Sequence, residues 1–179
     1  MSSYCGNMQT AVSVLACVFI TALSIPVSAE PARVQTPSPV IYLADNLNEE
    51  AGLGWCIDTV GRGLSDALHA HSCKPRGGDV QFRYDEASNQ IASVAFADKC
   101  LVALNNSAGA GFGLFQCDPA EPNQKYRYLA GSFQLAHNAG LCITVGKEIR
   151  TAGPFQSRNL ILASCTDTET VRLKWVVRD

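Results

Sequence analysis

The sequence predicts an all-β fold built from three repeats of about 43 residues. Its cysteines form pairs at a nearly constant period: Cys56/Cys73, Cys100/Cys117 and Cys142/Cys165. In every repeat a β-like run starts at the first cysteine, another ends at the second, and an aromatic residue follows nine or ten residues later. Features that recur together at one period are the signature of a repeat architecture.

Each repeat should supply four short strands, expected in the first repeat at about residues 40–43, 56–60, 68–73 and 80–84. In the run that ends at the second cysteine, period-two alternation predicts that Leu68 and Ala70 point inward. Gly, Asn, Asp and Pro fill the gaps, and no amphipathic helical pattern of about 12 residues stands out. Because one such unit cannot bury its own apolar face, three units with twelve strands should close on a shared core.

The first 29 residues carry no charged side chain and are typical of a secretory signal peptide. Residues 11–25 are mostly apolar, and Val27-Ser28-Ala29 forms a small-x-small site, so we expect cleavage after Ala29 and no membrane span after it. The segment before residue 11 departs from the pattern because it has no Lys or Arg. Two alternatives stay open, namely lipidation at Cys17 and an uncleaved N-terminal anchor.

The remaining chain divides into a Pro-rich linker at 30–39 and a domain at 40–179, with repeats at about 40–87, 88–131 and 132–179. The six cysteines left after cleavage are an even number without CxxC spacing, which favours disulfides over a metal site and a secreted location, extracellular or periplasmic. With 14 Lys+Arg against 16 Asp+Glu, the chain lacks the basic footprint of a nucleic-acid-binding protein.

Paired cysteines and a degenerate Q-x-aromatic triplet near the end of each repeat resemble the ricin-type β-trefoil lectins. The triplets read Val80-Gln81-Phe82, Gln124-Lys125-Tyr126 and Leu173-Lys174-Trp175. The resemblance covers about residues 40–179 and implies a β-trefoil, a six-stranded barrel capped by three hairpins with pseudo-threefold symmetry. It implies buried, equivalent closing aromatics, and three disulfides within repeats: Cys56–Cys73, Cys100–Cys117 and Cys142–Cys165.

The resemblance also implies a shallow sugar pocket in each repeat. Its members are an Asp two residues after the first cysteine, a polar residue and an aromatic just before the second, and a polar pair before the closing aromatic. The first repeat offers Asp58, His69, His71 and Asp79 at these positions, so we expect the main carbohydrate site there. A carboxylate such as Asp58 accepts hydrogen bonds from two sugar hydroxyls, and charge-assisted bonds are the strong ones.

The other two repeats depart from the sugar-binding pattern. The second has Phe115, Asn123 and Gln124, but Val102 replaces the carboxylate, so we expect a weaker second site there. The third has Thr144, Ile161 and Ala163 at the corresponding positions, and we expect it to be structural.

Together these features predict a non-catalytic protein that binds glycans or glycoconjugates and uses no cofactor or metal. Because the ordinary pKa of histidine is about 6.5, binding should vary between about pH 5.5 and 7.5. The alternative is a structural or protein-binding trefoil with decayed pockets, for example the targeting subunit of a toxin or hydrolase complex.

Other interpretations of single features stay open. One alternative is that Asp58 only caps a turn before Gly61. Another is that Asp58, His69 and His71 together bind a metal. A hydrolytic Asp58/Asp79 pair has no support in spacing or family. A protease inhibitor would need an exposed rigid loop, for which the long 146–159 segment with Arg150 and Arg158 is the only candidate.

Overall fold

The computed structural model describes residues 30–61 and 63–179. The expected signal peptide, its cleavage site after Ala29 and the alternatives at its N-terminal end, including Cys17, lie outside the described residues. Within the described ranges, no helix is long and apolar enough to cross a membrane.

The described chain is nearly all β, and its strands pair antiparallel throughout. The first repeat contains β1 (Val40–Leu43), β2 (Trp55–Thr59), β3 (Leu68–Ser72) and β4 (Phe82–Asp85). The second contains β5 (Gln90–Ser93), β6 (Lys99–Ala103), β7 (Phe112–Gln116) and β8 (Tyr126–Leu129). The third contains β9 (Ser132–Leu135), β10 (Asn138–Val145), β11 (Arg150–Ala152), β12 (Phe155–Arg158), β13 (Leu160–Ser164) and β14 (Trp175–Arg178). Short 3-10 helices at Pro122–Gln124 and Thr170–Arg172 precede β8 and β14.

The expected four strands are present in each repeat, and the third repeat adds two more. The additional strands, β11 and β12, form a hairpin inside the long 146–159 segment. The expected count of twelve strands is therefore wrong by one inserted hairpin. This hairpin does not project freely, since β12 pairs with β3 of the first repeat.

The three repeats close into a ring through their terminal strands. The last strand of each repeat pairs with the first strand of the next, as β4–β5 and β8–β9, and β14 pairs back with β1. The closing aromatics Phe82, Tyr126 and Trp175 open the three last strands and are 0%, 0% and 2% exposed. The expected β-trefoil with equivalent, buried closing aromatics is confirmed.

One apolar core fills the space between the repeats, as the alternation of the sequence predicts. Leu68 and Ala70 of β3 are buried in it. The corresponding pairs of the other repeats are buried in it too: Phe112 and Leu114, Leu160 and Leu162. The core thus draws on the same positions of β3, β7 and β13, and it leaves the alternate positions of these strands for the opposite face.

Each repeat carries one disulfide, and the pairing is the one that the resemblance implies. The bonds are Cys56–Cys73, Cys100–Cys117 and Cys142–Cys165. In each bond the first cysteine lies in β2, β6 or β10, and the second directly follows β3, β7 or β13. The Cα–Cα distances are 5.0, 4.9 and 5.1 Å. Each bond therefore fixes the hairpin on which a pocket of that repeat would lie.

The segment 30–39 is extended, but it packs on the domain and does not act as a free linker. The backbone N–H of Arg33 donates to the carbonyl of Gly52, and that of Asn46 donates to the carbonyl of Glu30. Thr36 is fully buried, and its hydroxyl donates to the carbonyl of Lys74. Gly54 permits the close approach, since a Cβ there would lie 2.4 Å from the Cβ of Ala32. The proline-rich composition predicts the extended conformation. It does not predict the docking, because these hydrogen bonds form only with the folded domain.

Candidate functional site

The expected residues of the first repeat come together on the β2–β3 hairpin. Asp58 is the cross-strand partner of His69, and Cys56 is the partner of His71. Because alternate residues of a strand share a face, the two histidine rings lie side by side, with centroids 5.3 Å apart. The inward pair Leu68 and Ala70 occupies the opposite face of β3.

Asp58 is an internal carboxylate whose two oxygens both have partners within the chain. Its Oδ1 accepts a hydrogen bond from the backbone N–H of Thr59 at 2.8 Å. Its Oδ2 lies 2.8 Å from Nζ of Lys74, and the same ammonium lies 2.6 Å from Oδ1 of Asp79. The side chain of Asp58 is only 1% exposed. Lys74 therefore bridges the two predicted carboxylates.

This arrangement keeps the bridge ionised. Burial raises the pKa of Asp58, but the His69 ring and the Lys74 ammonium lower it by more, so that it lies below its ordinary value. Burial lowers the pKa of Lys74, but hydrogen bonds to Asp58 and Asp79 raise it above its ordinary value. Both shifts favour the charged forms at neutral pH.

The two histidines are close to this bridge but have different surroundings. Nδ1 of His71 lies 2.8 Å from the carbonyl oxygen of Ser72 and 3.6 Å from Oδ2 of Asp58. Burial lowers the pKa of His71, with smaller opposing effects from the Ser72 carbonyl and Asp58, so the ring is neutral at pH 7. Nε2 of His69 lies 3.9 Å from Oδ2 of Asp58 and is buried without a hydrogen-bond partner in the described part of the chain.

A depression of about 720 Å³ opens beside these histidines. His69, His71 and Lys74 line it from the first repeat, whereas Asp58 and Asp79 do not. Asp58 was expected to face sugar hydroxyls directly, but its side chain is buried and does not line the depression. The reason is Lys74, which directly follows Cys73 and lies between the depression and the two carboxylates.

The inserted hairpin of the third repeat forms the opposite wall of the depression. β12 continues the sheet beyond β3, with Ser157 paired to His71. The backbone N–H of Gln156 donates to Oγ of Ser72 at 3.0 Å. The Phe155 ring is half-buried, and its centroid lies 5.4 Å from that of His71 at an interplanar angle of 63°.

Arg158 anchors this hairpin to the domain. Because its side chain is buried, it cannot serve as an exposed contact residue of a protease inhibitor. It is 3% exposed, and its guanidinium donates to the carbonyls of Gly146, Lys147 and Leu47. It also lies over the Trp55 ring, 4.7 Å from the ring centroid. Burial lowers the pKa of Arg158 to about 10, so it is still charged at neutral pH. The 146–159 segment is thus a hairpin held on the domain through β12 and Arg158, whereas the other predicted inhibitor residue, Arg150, is exposed.

The second repeat presents part of its expected site. Phe115 is 40% exposed, and it lines a depression of about 670 Å³ together with Val102 and Gln124. Gln124 is buried, however, and its amide bonds to Gln90, to the backbone N–H of Asp118 and to the carbonyl of Gln116.

The remaining expected member, Asn123, does not line this depression. The triplet position of Gln124 is buried in every repeat, since Val80 and Leu173 are its counterparts. That position therefore serves packing in all three repeats.

In the third repeat the site positions are occupied by residues with little to offer a ligand. The hydroxyl of Thr144 donates to the carbonyl of Cys142. Ile161 and Ala163 stand where the first repeat has His69 and His71. Across the described ranges, no cluster of three or more His, Cys, Asp or Glu side chains has the geometry of a metal site.

Two important residues escape the sequence pattern. Lys74 lies one position beyond the second cysteine of the first repeat, where the pattern assigns no role. Phe155 lies more than 80 residues from His71 in sequence, and only the pairing of β12 with β3 brings them together.

Comparison with known proteins agrees with this architecture. A family model described as the ricin-type beta-trefoil lectin domain matches residues 46–175. A mutant C-terminal domain of an earthworm lectin, in complex with 6'-sialyllactose, is 14% identical with a TM-score of 0.56, covering 78% of this chain and 95% of that one.

Two further solved structures share the fold. An agglutinin from Abrus precatorius is 13% identical with a TM-score of 0.58, covering 79% of this chain and 46% of that one. Cytolethal distending toxin from Actinobacillus actinomycetemcomitans is 13% identical with a TM-score of 0.53, covering 79% and 91%. At such low identities the likeness shows the fold alone. The family match spans well over half of the chain, and with its three disulfide-bonded repeats the protein belongs to the ricin-type β-trefoil lectin domain family.

Proposed function

We propose that this protein binds carbohydrate non-catalytically in the depression of the first repeat, beside Asp58, His69, His71 and Asp79. The observation that carries the proposal is the ion-pair bridge Asp58–Lys74–Asp79 under a depression lined by both histidines. Membership of a lectin family and the 6'-sialyllactose bound by the earthworm domain support the same function.

The bridge leaves a donor and an acceptor suited to sugar hydroxyls. Lys74 has three N–H groups, of which two point to Asp58 and Asp79, so the third can donate to a ligand. A carbonyl oxygen only accepts, so Nδ1 of His71 donates to Ser72 and Nε2 becomes the acceptor of the neutral ring. A hydroxyl group both donates and accepts, so adjacent hydroxyls of one sugar can use both groups.

Asp58 and Asp79 act in this proposal by positioning Lys74. The Lys74 side chain is 23% exposed, and two carboxylates at 2.8 and 2.6 Å hold its ammonium in one place. A fixed ammonium loses less side-chain entropy on binding than a free one does. The same pairing argues against hydrolysis, because a general acid needs a raised pKa, whereas that of Asp58 is lowered.

A glycan array with the disulfide-bonded protein tests the proposal. We expect weak binding of single sugars, and stronger signals on densely displayed glycans, because one shallow site gains through multivalency. Asp58→Asn keeps the shape of the side chain and should weaken every hit, whereas Asp85→Asn changes an exposed carboxylate of β4 and should weaken none. An array without any signal for the unmodified protein would reject carbohydrate binding.

A second candidate is a protein-binding trefoil that serves as the targeting subunit of a toxin or hydrolase complex. The internal pairing of both Asp58 oxygens favours it, because a decayed pocket would look the same. The fold shared with a cytolethal distending toxin adds support. Co-purification of a partner chain, together with a silent glycan array, would favour this candidate.

We also propose that the protein is secreted, with a mature chain that starts near Glu30. The small-x-small site at Val27-Ser28-Ala29 and three disulfides in the folded part support this. Intact mass spectrometry with thiol alkylation is the test. A secreted chain that retains Met1, or that binds alkylating agent without reduction, would contradict it.

A further inference from the structure

We infer that Phe155, carried by the inserted hairpin of the third repeat, is the stacking surface of the sugar site in the first repeat. The inference rests on the proposed function and names the part of the site that selects the ligand. The ligand class is a pyranoside with an apolar C–H face next to at least two hydroxyls. The site would then be assembled from two repeats that are far apart in the sequence.

Packing in the core does not explain an aromatic residue at position 155. Phe155 belongs to neither buried apolar cluster of residues 30–61 and 63–179. Its ring is half-buried, lines the depression and contacts the ring of His71. An aromatic side chain that is kept partly exposed beside polar groups is suited to contact a ligand that is apolar on one side and polar on the other.

The geometry of the two rings makes a corner. The planes of His71 and Phe155 meet at 63°, with centroids 5.4 Å apart. A sugar whose C–H face lies on Phe155 would direct hydroxyls from its edge toward Nε2 of His71 and Nζ of Lys74. The first repeat has no large aromatic on its own strand, since His71 takes the place that Phe115 has in the second repeat. The hairpin replaces that missing surface.

The hairpin is held firmly enough to act as a preformed wall. Main-chain pairing joins β12 to β3, and the backbone N–H of Glu50 donates to Oε1 of Gln156 at 3.0 Å. The three carbonyl bonds of Arg158 anchor the end of the same strand. Binding residues held by such surroundings need little ordering when the ligand arrives.

The test is a titration of Phe155 variants with methyl β-galactoside, N-acetylgalactosamine and methyl α-mannoside. Phe155→Ala should weaken binding of the preferred sugar roughly three- to tenfold, and Phe155→Tyr should keep it, because an aromatic face contributes at this scale. Ile149→Ala is the matched control, since Ile149 is an exposed apolar residue of the same inserted segment outside the depression. Melting temperatures equal to that of the unmodified protein show that the variants are folded.

The outcomes separate this inference from the proposed function. If Phe155→Ala binds as well as the unmodified protein while Lys74→Met loses affinity, the hairpin is not part of the site, although the first repeat still binds sugar. If Phe155→Ala and Ile149→Ala weaken binding equally, the effect comes from the hairpin as a whole, and the stacking role is wrong. If the unmodified protein binds none of the three sugars and gives no array signal, both proposals fail.

Discussion

The Lys74 ammonium lies between two carboxylates, 2.8 Å from Oδ2 of Asp58 and 2.6 Å from Oδ1 of Asp79. The pair with Asp58 is largely shielded from water, because the Asp58 side chain is 1% exposed and the Lys74 side chain 23%. In such surroundings a charge that loses its partner is destabilising, since its own desolvation is no longer compensated. Lys74 both pairs with these carboxylates and lines the depression, so a change at the bridge should alter the stability of the first repeat and the shape of its depression together.

A double-mutant cycle measures this link. We expect Asp58→Asn and Lys74→Met each to lower the free energy of unfolding by about 1–3 kcal/mol, as for buried charged groups that lose a partner. The double variant should lose less than the sum, because the two changes remove the same interaction. Urea unfolding of the four proteins gives the coupling energy.

The surface pair Lys147–Glu169, at 3.3 Å, serves as the control for this cycle. Both of its side chains are more than half exposed, so solvent screening should leave little coupling. Additive losses at Asp58 and Lys74 would show that the bridge does not contribute to stability.

Stability and binding should both decline at acid pH. The folded-state pKa of His71 is lowered below 6.5, so the unfolded chain takes up a proton more readily. Its contribution is complete above about pH 6.5 and is lost as the pH falls toward the folded-state pKa. Asp58 acts in the same direction at lower pH, because its lowered pKa gives stability above 3.8 that is lost below it.

The sugar affinity should follow His71, since a proton on Nε2 removes the proposed acceptor. We therefore expect constant affinity from pH 8 to about 6.5 and a decline below it, which is a more acidic onset than the ordinary pKa of histidine predicts. Asp58, Lys74 and His69 all lie near this ring, so the His71→Gln variant is needed to assign the effect. Calorimetric titration at several pH values is the measurement. A decline that survives in His71→Gln would assign the pH dependence to another group.

Removal of the closing aromatic of the third repeat should strongly destabilise the barrel. Trp175 is 2% exposed, belongs to the common core and donates from Nε1 to the carbonyl of Ile143 at 3.0 Å. We expect Trp175→Ala to cost about 3–5 kcal/mol, the range for large buried aromatics. Thermal or urea unfolding tests this, with Leu129→Ala as an exposed control. Unfolding at the normal temperature would show that Trp175 does not support the core.

Much of the fold is predictable because the sequence repeats it three times. The cysteine period, the alternation around Leu68 and the closing aromatic Trp175 each report a local requirement, namely a disulfide, a buried face or a barrel contact. The packing of residues 30–39 was not predictable, because hydrogen bonds such as that from Thr36 to the Lys74 carbonyl join segments distant in sequence. A proline-rich stretch predicts extension and says nothing about docking.

The site was predictable only in part, for the same physical reason. The cross-strand positions of Asp58 and His69 follow from the hairpin register, which two cysteines mark in the sequence. The contribution of Phe155 depends on an inserted hairpin that pairs with the edge of another repeat, and no local pattern encodes such a pairing.

The three histidines of the chain allow the most direct test of sugar binding in the first repeat. His69 and His71 line the depression, whereas His137 is exposed in the third repeat and serves as an internal reference. The measurement is a titration of the imidazole ring signals by NMR, with methyl β-galactoside, N-acetylgalactosamine and methyl α-mannoside as ligands. We predict that the preferred sugar shifts the ring signals of His69 and His71 at saturable concentrations and leaves those of His137 in place. Unchanged signals of His69 and His71 with all three sugars, or equal shifts at His137, would contradict a sugar site in the first repeat.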